Sequence, residues 1–228
     1  MIFRRFLSVP VIVVVSVLCI MHSSHADEGL GLDAKIGTMG VGGEVSAALF
    51  PNTRIRGGFN FLTWTFESTI SGIDYDFETE FNSIPVILDL HPFGGSFFIS
   101  GGVYFNNNSV SVDGFIGPED FTPAYQAYDF LANQVSLSGD VEFNPLAPYL
   151  GFGWRTNSGA SGWGFGLELG VLYQGAPDIT NLRINAPVDI STTESVRQFL
   201  AEQAREIEDE LSWFEFYPVA SVMFTYHF

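Results

Sequence analysis

A chain of 228 residues with 26 acidic side chains against nine Lys and Arg, net charge -17, is a poor match for nucleic acid, whose phosphates are gripped by cationic surfaces. That length suits a single domain once any targeting segment is removed, and no Pro/Ser-rich linker or solenoid-period repeat divides it. One cysteine, Cys19, rules out a disulfide scaffold.

Residues 1 to 26 have the parts of a secretory signal: Arg4 and Arg5, an apolar run from Phe6 to Met21, and Ser24-His25-Ala26 before Asp27. The run is interrupted by Pro10 and falls short of the ~20 residues a spanning helix needs, so cleavage after Ala26 is expected rather than anchoring. Cys19 follows Leu18, where a lipoprotein signal requires a small residue. The mature chain, residues 27 to 228, then has no cysteine and a charge of 7 minus 26, or -19, because two of the nine basic residues precede the cut. Past residue 26 no apolar stretch is long enough for a spanning helix, and a membrane crossing must therefore use strands.

Period-two alternation of apolar residues marks seven segments: Val41 to Phe50, Thr53 to Phe66, Asp74 to Leu90, Ser96 to Asn106, Ser136 to Trp154, Trp163 to Gln174 and Phe216 to Phe228. The cleanest is Trp163 to Gln174, with Trp, Phe, Leu, Leu, Val and Tyr on one face and Gly, Glu and Gln on the other. Its length matches the ~9 to 11 residues of a spanning strand. The connections alternate between short, at Pro51-Asn52, residues 92 to 95 and residues 157 to 162, and longer, at residues 68 to 73, 107 to 135 and 175 to 215. Short turns belong to the periplasmic side and long loops to the outside, and with Phe228 in the periplasm this parity requires one more ascending strand, for which Gly29 to Thr38 is the candidate.

Two segments change phase beside a proline. Asp74, Asp76, Glu78 and Glu80 hold even positions, yet so do Val86, Leu88 and Leu90, and a bulge around Asn82 to Pro85 would reconcile them. A second bulge at Asn144-Pro145 would place Asp140 and Glu142 inward, with Leu150, Phe152 and Trp154 meeting lipid beyond it. On this parity the inward set is Glu44, Arg54, Arg56, Asn60, Asp89, Tyr104, Asp140, Glu142 and Glu168. Its seven charged members, Glu44, Arg54, Arg56, Asp89, Asp140, Glu142 and Glu168, are expected to pair across a narrow lumen.

Asp74, Asp76, Glu78 and Glu80 lie toward the outer end of their strand and read as a solvated acidic rim or as carboxylates that share divalent cations. Within residues 191 to 213, Val196, Phe199, Leu200, Ala204, Ile207 and Leu211 recur at helical spacing, and Ser191 with Glu194 forms a capping box. An amphipathic helix in the last long loop follows. Its polar face is acidic, with Glu202, Glu206, Glu208, Asp209 and Glu210, and its apolar stripe is expected to pack on the barrel's own aromatic loops, where Phe115, Phe121, Tyr125, Tyr128 and Phe130 are available.

The final strand places Ala220, Val222, Phe224, Tyr226 and Phe228 on one face, and an ending with aromatics at positions 224, 226 and 228 resembles the assembly signal of Gram-negative outer-membrane β-barrels. Signal peptide, alternation, alternating connection lengths and this ending together resemble the small outer-membrane barrels of the OmpA, OmpX and OmpW type. The resemblance implies an all-β fold: an eight-stranded antiparallel transmembrane barrel, with one amphipathic helix in the last extracellular loop. It also implies residence in the cell outer membrane as a monomer, contact with outer-membrane lipids and lipopolysaccharide, and delivery by the barrel assembly machinery. The implied role is structural or surface-interacting. A narrow OmpW-like channel for small apolar or ionic solutes and a lipid A-modifying enzyme are the alternatives. Catalysis, cofactor and metal are not expected, since the mature chain offers only His91 and His227, both at periplasmic strand ends, and no cysteine nucleophile.

Overall fold

The computed structural model describes residues 29 to 70, 73 to 115, 136 to 156, 161 to 185 and 194 to 228. The signal segment, Ser191 of the capping box and the aromatic residues 121, 125, 128 and 130 lie outside the described residues.

The described residues form eleven strands: β1 (Leu30–Gly37), β2 (Gly40–Phe50), β3 (Thr53–Ile70), β4 (Ile73–Leu90), β5 (Phe97–Asn106), β6 (Ser109–Phe115), β7 (Ser136–Glu142), β8 (Leu146–Arg155), β9 (Gly162–Tyr173), β10 (Asp178–Asn185) and β11 (Phe216–His227). Eight of them, β1, β2, β3, β4, β5, β8, β9 and β11, pair antiparallel in a ring. The first and last strands close it, in a register running from Gly31 opposite His227 to Gly37 opposite Ser221. Closure satisfies both edges of the sheet, which is the condition for strands to stand in hydrocarbon. Seven of the sequence's eight segments coincide with ring strands, including the one inferred from parity alone, and the eighth, Ser136 to Trp154, divides into β7, outside the ring, and β8, within it.

The remaining strands extend the wall beyond the ring. β4 is long enough to pair with β5 through its lower half, from Ser83 to Leu90, and with β6 through its upper half, from Asp74 to Glu80. β7 and β10 continue outward from β6, so β3, β4, β6, β7 and β10 form a five-stranded sheet above the barrel. The long connections 107 to 135 and 175 to 215, expected as loops, therefore carry strand structure of their own. On the opposite side β1 and β2 join through a tight turn at Thr38 and Met39, and the wall stops there.

Helix α1 (Glu194–Glu210) and the 3₁₀ turn Ser212–Glu215 fill that gap. The helical stripe lands as its spacing requires: Val196, Ile207 and Leu211 are buried, while Phe199 and Leu200 pack partly buried against the same core. Glu210 accepts a hydrogen bond from the Ser68 hydroxyl of β3 at 3.2 Å, and Glu208 accepts one from the Ile179 amide of β10 at 3.2 Å. One helix thus bridges the two outer strands of the five-stranded sheet and covers an edge amide that would otherwise stand open. Beneath it Phe81, Phe214 and Tyr217 form an aromatic plug, with ring centroids 5.0 Å apart for Phe81 and Tyr217 and 5.9 Å apart for Phe214 and Tyr217.

Neither expected bulge exists. β4 alternates without interruption from a buried Ile73 to an exposed Leu90, and its pairing with β3 keeps one register throughout. β7 and β8 keep the same register against β6 and β5 on both sides of Asn144-Pro145. Even positions face outward over the whole of both strands. What changes along them is the surroundings: Val86, Leu88 and Leu90 lie at lipid level, while Asp74, Asp76, Glu78 and Glu80 stand on the outer face of the extension. By the same geometry Asp140 and Glu142, expected in the lumen, point outward, with Glu142 exposed and Asp140 half-buried. Register shifts occur instead in β2 between Ala48 and Phe50, and between β7 and β10 near Asn181, whose φ of 59° is left-handed.

Candidate functional site: a lumen layer built by all eight ring strands

The ring's interior is polar at mid-height, and each strand supplies one side chain to a single bonded layer. Lys35 comes from β1, Glu44 from β2, Arg56 from β3, Asp89 from β4, Ser100 from β5, Tyr149 from β8, Glu168 from β9 and Ser221 from β11. Inward parity selects each of them, with an outward apolar neighbour on either side in most strands.

Arg56 is the hub and is fully enclosed. Its Nη1 donates to Glu44 Oε2 at 2.8 Å and to Glu168 Oε2 at 2.9 Å, and its Nη2 bonds to Glu168 Oε1 and donates to Ser100 Oγ at 3.3 Å. Its Nε faces the Asp89 carboxylate, with Oδ2 at 2.9 Å. Lys35 closes the circuit from the other side, with its Nζ 2.9 Å from Glu44 Oε1 and 3.2 Å from Glu168 Oε2. Hydroxyls complete the lone pairs: Ser100 donates to Asp89 at 2.7 Å and Tyr149 donates to Glu168 at 2.7 Å. The phenol reaches that far because Gly170 lacks a side chain. A Cβ there would lie 2.6 Å from the Tyr149 ring carbon Cε2.

A guanidinium suits this place because its planar fork presents five donors and stays charged in low dielectric. The buried charges among the described residues number four cations, Lys35, Arg54, Arg56 and Arg155, and four carboxylates, Asp33, Glu44, Asp89 and Glu168. Charges of both signs therefore share the enclosed lumen, where a charge with no opposite partner costs several kcal/mol.

Of the residues expected in the lumen, Glu44, Arg56, Asp89 and Glu168 meet in this layer. Arg54 lies nearer the periplasmic end, where its Nη2 donates to Ser46 Oγ and to the Gly29 carbonyl, each at 3.2 Å. Tyr104 and Asn60 are buried on the inner face, whereas Asp140 and Glu142 stand outside. Sequence reasoning missed Asp33, Lys35, Tyr149 and Arg155. Asp33 and Lys35 share odd parity in β1 and flank Ala34, a signal that was present in the least patterned strand. Arg155 sits one position beyond the assigned end of its strand. Asp89 pairs with Arg56 and Ser100, and His91 Nδ1 faces the Gly95 carbonyl at 2.9 Å. The four β4 carboxylates are exposed, and no cluster of three or more metal-ligating side chains forms among the described residues.

The barrel's outside carries the complementary pattern. Ile36, Val45, Leu88, Leu150, Leu167 and Val222 are exposed large apolar residues on strand faces that would be irrational in water. Aromatics concentrate toward the belt's ends: Phe50, Trp154, Trp163 and Phe228 below, and Phe61, Phe105, Tyr173 and Phe216 above. An apolar band between two aromatic girdles around a polar interior is the inversion that hydrocarbon imposes.

The chain has the fold of a small outer-membrane β-barrel. Its structure is similar to the crystal structure of Acinetobacter baumannii CarO2, with a TM-score of 0.57 and 21% identity over 89% of this chain and 100% of that chain. It is likewise similar to the crystal structure of Acinetobacter baumannii CarO, with a TM-score of 0.53 and 22% identity over 88% of this chain and 98% of that chain. No family model and no curated relative matches the sequence. Within this barrel the residues of the expected assembly signal, Phe224, Tyr226 and Phe228, lie in or at the end of β11. Phe224 and Phe228 are exposed on the lipid face, and Trp163 stacks on Phe224 at 4.7 Å.

Proposed function

We propose that this barrel is a non-conducting, non-enzymatic protein of the outer membrane, monomeric, exported with a signal removed after Ala26, and serving to hold an acidic five-stranded wall above the lipid. The observation that carries this reading is the lumen layer itself. Eight strands leave an interior just wide enough for their own side chains, and here one residue from every strand is bonded into the cross-section, roofed by the Phe81, Phe214 and Tyr217 plug. A solute would have to break several charge-assisted hydrogen bonds and displace α1.

The wall presents Glu67, Asp74, Asp76, Glu78, Glu80 and Asp113 on its outer face, and like charges sit directly opposite one another where Asp76 lies between Glu67 and Asp113. Such pairs destabilise a sheet. Their accumulation on the outward surface supports a surface-interaction role over a purely mechanical one. His91 and His227 both stand at the periplasmic end, far from the outer leaflet in which lipid A lies, which supports the absence of lipid-modifying chemistry.

Planar bilayers test the closed lumen. Purified barrel, shown folded by its shifted migration unboiled against boiled, is expected to give no discrete openings in symmetric salt. Regular single-channel steps would reject this reading in favour of the narrow OmpW-like channel.

A further inference from the structure

Below the Arg56 layer the lumen holds a second group of polar side chains that are buried and incompletely bonded. Arg155, at the end of β8, is fully enclosed; its Nη2 contacts Met223 Sδ at 3.6 Å, while its Nε and Nη1 find no hydrogen-bond partner. Its nearest carboxylate oxygens are Asp33 Oδ2 at 3.8 Å and Asp89 Oδ2 at 3.7 Å, separations that leave the charges facing but unbonded. Arg54 Nε, Thr225 Oγ1, His227 Nε2 and both oxygens of Asp33 have no hydrogen-bond partner either.

These groups share one space. Thr225 is the cross-strand partner of Asp33. A Cβ placed on Gly31 would lie 3.3 Å from Arg54 Nη2 and 3.4 Å from His227 Cδ2. Arg54 and Arg155 both act electrostatically on His227. Phe98 forms the roof, with the Arg155 guanidinium 5.3 Å and the Arg56 guanidinium 5.9 Å from its ring centroid. Arg54 and His227 retain 6% and 4% exposure, while Arg155 and Thr225 have none, so the group is enclosed except beside Arg54 and His227.

Buried donors of this kind do not stay unbonded, because each costs about 1–3 kcal/mol, more where charged. We infer that this chamber is a binding site for one small monovalent oxyanion of the carboxylate or dihydrogen-phosphate class, taken from the periplasm and held between Arg155 and Arg54. Two guanidiniums supply donor forks that match an oxyanion bidentately, and the Thr225 hydroxyl and the His227 ring offer further donors. Asp33, and Asp89 behind it, set the limit on charge: a dianion would face two carboxylates in low dielectric.

The test uses the full mature barrel in an uncharged detergent, with ¹³C-formate as the probe and ionic strength held constant with a bulky sulfonate. The wild type is expected to broaden the formate signal saturably, and monobasic phosphate is expected to reverse that broadening by competition. Arg155→Gln is expected to abolish the effect. Thr225→Val keeps the shape of its side chain and, by losing one charge-assisted hydrogen bond, is expected to weaken formate about tenfold while preserving the heat-modifiable migration of a folded barrel. No saturable broadening in the wild type, or equal broadening in wild type and folded Thr225→Val, would overturn the site and leave a chamber that holds water only. Bilayer conductance is read separately, so a channel would defeat the closed lumen without touching this result.

Discussion

Replacing Arg56 with methionine is expected to cost about 3–5 kcal/mol of barrel stability, read as a fall in the urea midpoint of refolded protein in detergent or as loss of the fast-migrating unboiled form. The magnitude follows from what stays behind. Glu44, Asp89 and Glu168 all address this one guanidinium, and with it gone Lys35 is the one cation left to the Glu44 and Glu168 carboxylates, beside the Tyr149 and Ser221 hydroxyls on Glu168, while Asp89 keeps only Ser100 and a distant Arg155. The wild-type layer need not be strongly stabilising for this to hold, because desolvation offsets most of the Coulomb gain of a buried pair. It is the orphaned charge that costs. The double variant Arg56→Met with Glu168→Gln is therefore expected to recover part of the loss, since it removes one of the three stranded carboxylates. If both variants melt where the wild type melts, the layer is not a coupled network.

That layer was half legible in the sequence, and the half that was missed has physical reasons. Glu44, Arg56, Asp89 and Glu168 are charged residues beside lipid-facing apolar ones, and the cost of charge in hydrocarbon forces them inward wherever the alternation is strong. In β1 the outward face is Leu30, Leu32, Ala34 and Ile36, too short a run to stand out, so Asp33 and Lys35 went with it. Tyr149 lacks a charge to mark it, and its part in the layer depends on the missing side chain of Gly170, a relation across two strands that no linear pattern shows.

A switch from acidic to apolar residues at even positions looks like a change of face when every strand is assumed to begin and end in lipid. In β4 the face is constant and the medium changes. The inward residues carry the evidence: Tyr75, Phe77 and Phe81 are buried because above the membrane the interior is an ordinary apolar core under α1, whereas Asp89 is buried because below it the interior is a polar lumen. The barrel reverses its inside-out pattern part-way up a single continuous strand. The same reversal explains Asp140 and Glu142 on β7. It also explains β6 and β10, whose apolar faces turn inward and whose polar faces meet water, so that their sequences lack the lipid-facing alternation of the ring strands.

A pair of substitutions on that one strand separates the two media. Leu88 and Asp76 lie on the same outward face of β4, twelve residues apart in a strand with no register break, and both are exposed. If the medium changes between them, Leu88→Arg places a cation in hydrocarbon and is expected to cost about 2–4 kcal/mol, less if the guanidinium snorkels to the nearer headgroups. Asp76→Arg places the same side chain in water between Glu67 and Asp113, its cross-strand neighbours, and is expected to be neutral or to stabilise by a few tenths of a kcal/mol through relief of like-charge repulsion. Urea unfolding of each variant after refolding into bilayers of matched thickness gives both numbers on one scale. A bulge at Asn82 to Pro85 makes the opposite forecast, because it turns position 76 into the enclosed interior, where an arginine would be as disruptive as one in lipid. Equal, large losses at the two positions would restore that bulge, and equal, negligible ones would remove Leu88 from the membrane altogether.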